Sequence, residues 1–214
     1  MISQPNVRQS GTLVSDAPPE CPGLLIVLVG PTGAGKNTLM QRAIEALPPL
    51  RQMPTMTTRP PREGEQHGRE HWFVSTEEFQ RLLATNALLE HQEVLPGRFY
   101  GVPRQPLDEA LTHHREWLIA DIDVKGAASL RAAFPANTLL IFIRPPNKQV
   151  LEARLHERRM SEEEIQQRLA RVDFELAFAD QCDYQIVNDN LDQTASSLIN
   201  LLRLELRQRG CLPE

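Results

Sequence analysis

Apolar residues arrive in short continuous runs. Leu24–Val29 reads LLIVLV, Trp117–Ala120 reads WLIA, Thr138–Ile143 reads TLLIFI and Tyr184–Val187 reads YQIV. Runs of this length between polar and turn residues predict strands, with Leu24–Val29 a buried one. A weaker run near Gln52–Thr55 predicts a fifth strand. Between these runs, apolar positions recur at helical spacing. One set is Leu39, Met40, Ala43, Ile44 and Leu47, stopped by Pro48-Pro49. A second is Phe79, Leu82 and Leu83, opened by Ser75-Thr76-Glu77-Glu78. A third is Ile165, Leu169, Val172 and Leu176, opened by Ser161 with Glu164. The last is Leu198, Ile199, Leu201, Leu202 and Leu204, ended by Gly210. A serine followed three residues later by glutamate is a helix-start signal. Strands alternating with helices predict an α/β fold with a mostly parallel sheet of about five strands, covered by helices. Such sheets bind ligands beyond the C-terminal ends of their strands.

Two stretches break the alternation. Pro54–Arg104 is polar and loop-rich, with one obvious helix, and Arg154–Arg171 is dense in arginine and glutamate. Both read as attachments to a core made of 23–53, 105–153 and 172–214. Residues 1–22 are polar, with repeated Ser, Pro and Gln, and read as a flexible leader.

Composition narrows the class. The chain has 214 residues, 41% hydrophobic and 24% charged, as ordinary globular proteins do. A formal charge of −5 and 5% aromatics argue against a nucleic-acid binder. No apolar run approaches the roughly 18 residues of a membrane helix. The three cysteines, Cys21, Cys182 and Cys211, are odd in number and form no Cys-x-x-Cys pair. They read as reduced thiols in a cytoplasmic protein, with Cys182 buried and inert.

The strongest chemical signal is Gly30-Pro31-Thr32-Gly33-Ala34-Gly35-Lys36-Asn37, placed between a predicted strand and a predicted helix. That is the setting of a phosphate-binding P-loop. Glycines let backbone N–H groups face the phosphates, the helix start adds partial positive charge, and Lys36 reaches the β- and γ-phosphates of a nucleoside triphosphate. The last position departs from the pattern, since Asn37 stands where a serine or threonine usually holds magnesium, with Thr38 next to it. A second signal is Thr57-Thr58-Arg59-Pro60-Pro61-Arg62-Glu63-Gly64-Glu65. Guanidinium forks pair bidentately with phosphate oxygens, so Arg59 and Arg62 suit a phosphate clamp, although a solvated charged loop has the same composition. His67–His71 matches the H-x-x-E-H zinc pattern, but Gly68 argues against the single helix face those ligands need.

With these motifs together, the chain resembles guanylate kinase. The P-loop, Thr57–Glu65, Gly68, Phe73-Val74-Ser75, Leu89-Glu90, Tyr100-Gly101, Asp121-Ile122-Asp123 with Gly126, Arg154-Leu155, Arg168-Leu169 and Val187-Asn188-Asp189 follow the family's order over roughly Gly23–Leu204. The resemblance implies a P-loop kinase core, an inserted GMP-binding lobe at 54–104 and a helical lid at 154–171. It implies ATP-dependent phosphorylation of GMP and dGMP, with ATP and Mg2+. Catalytic roles fall to Lys36, Arg59, Arg154, Arg158 and Arg168. Gly30, Thr32, Gly33, Ala34, Gly35, Lys36, Asn37, Thr38 and Asn188 would hold ATP. Arg59, Arg62 and Tyr100 would bind the GMP phosphate, Thr55 and Glu90 the guanine, with Glu65, His71 and Asp123 nearby. Asn37 and Asp121 would serve the metal. The implied partners are small molecules, with no nucleic acid and no membrane, and a homo-oligomer is compatible.

Several departures fall in the lobe: His71 stands where a tyrosine is usual and Val102 where a hydroxyl is usual. Outside it, Lys125 stands where a glutamine is usual. Two alternatives therefore stay open: a related P-loop kinase acting on another acceptor such as ribose 1,5-bisphosphate, and a non-catalytic guanylate-kinase-like binding domain.

Overall fold

The structure is a computed structural model and describes residues 21–158 and 160–212. The chain order begins β1 (Leu24–Val29), α1 (Lys36–Ala46), β2 (Leu50–Gln52), β3 (Thr55–Thr57), β4 (His71–Phe73), α2 (Thr76–Ala84), β5 (Leu88–Leu95) and β6 (Arg98–Pro103). It continues with α3 (Arg104–Asp108), β7 (Trp117–Asp121), α4 (Val124–Ala133), β8 (Thr138–Arg144), α5 (Lys148–Glu157), α6 (Glu162–Ala177), β9 (Tyr184–Val187) and α7 (Leu191–Gln208).

Five strands form a wholly parallel sheet in the order β2-β7-β1-β8-β9. All six residues of β1 are buried, as a continuous apolar run requires. Leu24, Ile26 and Leu28 join one core layer with Leu39, Met40, Leu198 and Leu202 of α1 and α7. Leu25, Val27 and Val29 join the other with Leu107, Ala127 and Leu130. The run is apolar throughout because both faces of the strand are covered by helices.

The expected strand over Gln52–Thr55 is instead two strands in two sheets. Met53 N–H still donates to Ile119 C=O at 2.8 Å, beside β2, and the chain then leaves the parallel sheet. Pro54 has no N–H to continue the ladder, so the break falls there. The loop-rich reading of Pro54–Arg104 is also corrected. The segment holds a four-stranded sheet, β4-β3-β6-β5, antiparallel apart from the β3–β4 pair. Its small core is Met56, Phe79 and Leu88, with Trp72, Leu82, Leu83 and Phe99 against it.

Ser75 and Ser161 both cap helices as expected. The Ser161–Glu164 box closes in both directions. At Ser75 only the serine half forms, because the Glu78 carboxylate pairs with Arg81. The limits 154 and 171 fall inside α5 and α6, which pack on each other through Leu151, Leu155, Ile165 and Val172. His67 and His71 lie outside any helix, with His71 in β4.

The cysteine reading is overturned at one pair. Cys21 and Cys211 are disulfide-bonded across a sequence separation of 190, with Cα atoms 4.7 Å apart. The fold brings Cys21 and Cys211 together beside β7, where Trp117 Nε1–H points at Cys21 Sγ from 3.2 Å. Spacing along the chain carries no trace of that meeting. Cys21 is fully buried, so it is part of the core and not of a leader. Residues 1–20 of the expected leader lie outside the described residues. Cys182 is half-buried and free, and burial pushes its thiol up to about 12. Among the described residues, no helix is long and apolar enough to cross a membrane.

Candidate active site

A cleft of about 270 Å³ opens at the C-terminal ends of β1 and β7. This is where a parallel α/β sheet presents its loops. It is lined by Gly30, Thr32, Gly33, Gly35, Lys36 and Asn37 of the loop, by Asp121 and Asp123, and by Arg158. Helix α1 starts at Gly35 with no side-chain cap, which leaves its first-turn N–H groups available to an anion. A Cβ on Gly35 would lie 2.3 Å from Asn188 Nδ2, and φ there is +95°, so glycine is required twice over.

The Lys36 ammonium donates to Gly30 C=O at 2.6 Å and Pro31 C=O at 3.2 Å. It pairs with Asp121 at 3.4 Å. Burial pushes the Asp121 carboxyl up, while the Lys36 charge pulls the other way. Behind the loop, Asn188 is buried, and its Nδ2 donates to Ala34 C=O at 2.7 Å. Arg154 donates to Asn188 C=O at 2.9 Å, and Arg168 to Thr32 Oγ at 2.9 Å. Asn188 Oδ1 and Arg154 Nη1 are buried without a protein partner among the described residues. Buried polar atoms of this kind call for a ligand or water. Thr38 is exposed and lies outside the cleft lining.

Asn37 and Asp121 contribute one amide and one carboxylate to the cleft. That donor set fits Mg2+, which keeps several waters and takes its other oxygens from phosphates.

The second group lies on the four-stranded sheet. Arg59 is 6% exposed, and its guanidinium is fully directed. Nε donates to Tyr100 Oη at 2.8 Å, Nη1 to Pro60 C=O at 2.9 Å and to Glu65 at 2.7 Å, and Nη2 to Glu65 at 2.6 Å. Its Cζ lies 5.6 Å from the Phe73 ring centroid. The Arg59 hydrogen bonds hold the Glu65 carboxyl down at about 2, and Glu65 in turn holds the guanidinium charged. In this structure the Arg59 fork grips Glu65. Arg62 has an exposed side chain, and its backbone N–H donates to Glu65 at 2.7 Å. His71 Nδ1 and Thr55 Oγ share a hydrogen bond at 2.7 Å. Burial, then the Arg59 charge, pushes the His71 imidazole below its usual range, so it is neutral near pH 7. Val102 is fully buried in the main core, which explains an apolar residue there.

Glu90 joins the two groups. Burial, reinforced by the Asp123 charge, pushes its carboxyl up to about 7. Asp123 also caps α4, accepting from Gly126 N–H at 2.8 Å. A Cβ on Gly126 would come within 2.5 Å of Ile122 Cγ2 and 3.2 Å of the Glu90 carboxyl carbon. The glycine keeps that carboxylate's place beside the helix open.

Two polar cleft residues escaped the sequence reading, Gln92 and Glu175. Glu175 had a signal, since it lies seven residues from Arg168 and so on the same face of α6. Burial pushes its carboxyl up, against Lys36 and Arg171. Gln92 had none, because a lone glutamine in a polar strand marks nothing.

Comparison with known proteins agrees with this geometry. The family model described as guanylate kinase matches residues 23–205. The guanylate kinase of a Synechocystis species is 43% identical over 181 residues, covering 84% of this chain and 93% of that protein. That of Caulobacter vibrioides is 39% identical over 192 residues, covering 89% of each. The crystal structure of guanylate kinase from Anaplasma phagocytophilum superposes with a TM-score of 0.61 at 32% identity, covering 86% of this chain and 87% of that one. With its P-loop cleft, its arginine-bearing second sheet and matches of this extent, the chain belongs to the guanylate kinase family.

Proposed function

We propose that this protein transfers the γ-phosphoryl group of ATP to the phosphate of GMP or dGMP. An oxygen of the acceptor phosphate forms a bond to the γ-phosphorus. The bond from that phosphorus to the β–γ bridging oxygen breaks, and its electron pair leaves with ADP. The observation that carries this reading is the place of Glu90: a half-buried carboxylate beside Asp123, which itself lines the cleft that holds Lys36. An ionised carboxylate accepts two N–H bonds from guanine N1 and N2, a pair adenine does not offer.

In this reading, 54–104 is the acceptor lobe and 154–171 the lid, with Arg154, Arg158 and Arg168 on the phosphates. Arg168 already reaches Thr32 and Arg154 already reaches Asn188, which supports closure onto the loop. Closure excludes water, so ATP is not spent on hydrolysis. No nucleophilic side chain is needed, because the charge of the moving phosphoryl group is met by Lys36 and the arginines. Asn37 and Asp121 would hold Mg2+ between them and the triphosphate, and the ion neutralises phosphate charge when bound. Arg59 and Tyr100 would orient the acceptor phosphate from a position fixed by Glu65. We place the reaction in the cytoplasm, where ATP is made and kept. The Cys21–Cys211 bond is the observation that pulls against that placement, since reducing compartments keep such pairs open.

The test is ADP release by the purified chain with MgATP and GMP, dGMP, AMP, CMP, UMP or ribose 1,5-bisphosphate. Turnover with GMP and dGMP far above AMP is expected. Turnover on another acceptor with silence on GMP overturns the proposal.

A further inference from the structure

We infer that Gln92 is a further positioning residue for this transfer, an uncharged donor placed where the acceptor phosphate meets the P-loop cleft. The inference rests on the proposed function.

The β5–β6 register sets Gln92 opposite Tyr100. Directly paired residues project from the same face of a sheet. Tyr100 on that face holds the Arg59 Nε bond. Glu90, two residues before Gln92, shares the face as well. The order along it is therefore a base-reading carboxylate, a carboxamide, and the phosphate-directed Tyr100–Arg59 pair. Gln92 is exposed, and among the described residues it is the only one of the four-stranded sheet that lines the P-loop cleft. It is the point where the acceptor face touches the donor site.

The residue type fits that point. The cleft already holds Lys36 and Arg158 as cations and Asp121, Asp123 and Glu175 as carboxylates. One more carboxylate would repel both phosphates. One more cation would pair with the carboxylates already present. A carboxamide presents two N–H donors and no charge, so it can donate to a phosphoryl oxygen at any pH. Its contribution is alignment of the attacking oxygen with the γ-phosphorus, which matters most as the bond forms. Loss of such a group lowers kcat more than it raises KM.

The experiment measures kcat and KM for GMP and ATP in wild type, Q92A and Q92E across pH, with the melting temperature of each free protein. Q92A is expected to lose about 10- to 100-fold in kcat, as for one hydrogen bond to a charged group, with KM for GMP within about threefold. Q92E is expected to lose more above neutral pH and to regain activity as pH falls, because the protonated carboxyl donates again. Taking the ratio to wild type removes the pH dependence that the two proteins share. A kcat for Q92A within about twofold of wild type overturns the assignment, as does a loss confined to KM. A Q92E profile parallel to wild type overturns it too, even if Q92A is unstable. Wild type without GMP turnover overturns the proposed function and this assignment together, whereas active wild type with an equally active Q92A overturns this assignment alone.

Discussion

The two sheets hold their cationic groups in different ways. In the P-loop cleft, the main chain holds them: Lys36 on the carbonyls of Gly30 and Pro31, Arg154 on the carbonyl of Asn188. On the four-stranded sheet, side chains mostly hold one another. Four of the five Arg59 N–H groups are engaged, two of them by Glu65, one by Tyr100 and one by the Pro60 carbonyl. The first arrangement survives loss of most single side chains, because the backbone keeps its shape. The second is a mutual net in which each member fixes the next. Catalysis needs the first to be rigid, since phosphoryl transfer depends on charges already in place. In the proposed function, acceptor binding falls to the second.

The sharpest way to break this contrast is to remove the one side chain the cradle depends on. Lys36→Ala should cut kcat by about 10²- to 10³-fold or more, the scale of losing a preorganised charge at a developing anion. KM for GMP should change little, because Lys36 belongs to the donor side. Single-turnover ADP formation measures this directly. A loss under about tenfold would mean the arginines, and not the cradle, supply the main stabilisation.

The second prediction concerns the acceptor side and is read from pH. Glu90 titrates at about 7 in the free protein because burial and Asp123 disfavour its charge. Guanine N–H groups need the ionised form. Below that value the competent fraction falls tenfold per pH unit, and KM for GMP should rise in step. Glu90→Gln should abolish that slope and narrow the preference for GMP over AMP. The linked stability effect has the opposite sense: the folded state binds a proton between about 4.5 and about 7 that the unfolded chain releases. Stability of the free protein therefore declines as pH climbs through that window. A KM for GMP that is flat from pH 6 to 8 would remove Glu90 from base recognition.

The same contrast explains what could be read from the sequence. The parallel sheet was legible because LLIVLV and the LLIFI of β8 are apolar without interruption, as a strand covered on both faces permits. The P-loop was legible because its chemistry lies in eight consecutive residues. The four-stranded sheet was not. His71-Trp72-Phe73 is half-buried throughout, and Leu88–Leu95 mixes His91, Gln92 and Glu93 into its run. A sheet with one open face and a core of a few side chains leaves little periodic signal. The arginines of the Thr57–Glu65 motif were visible, but the Arg59–Glu65 grip was not, since a fork that faces phosphate and one that faces carboxylate have the same sequence. Cys21 and Cys211 show the limit most plainly: their pairing is a property of the folded ends alone.

That pair supplies the smallest expected effect on turnover and the cleanest separation of core from lobe. The Cys21–Cys211 bond lies against the parallel sheet, in the layer of Trp117 and Leu50. It touches neither the cleft nor the four-stranded sheet. A link across so long a loop constrains the unfolded chain, at about 2–4 kcal/mol in typical cases. For a chain of this size that is worth about 5–15 °C in melting temperature. Reductant, or Cys211→Ser, should lower the melting temperature by that amount and leave kcat and both KM values unchanged. Trp117 reports the same event, because its indole N–H lies 3.2 Å from Cys21 Sγ and its emission should change on reduction. If reductant moves neither the melting temperature nor the emission, the cysteines are free thiols in solution. If it also raises KM for GMP, the core and the acceptor sheet are coupled, and the separation between backbone cradle and side-chain net no longer holds.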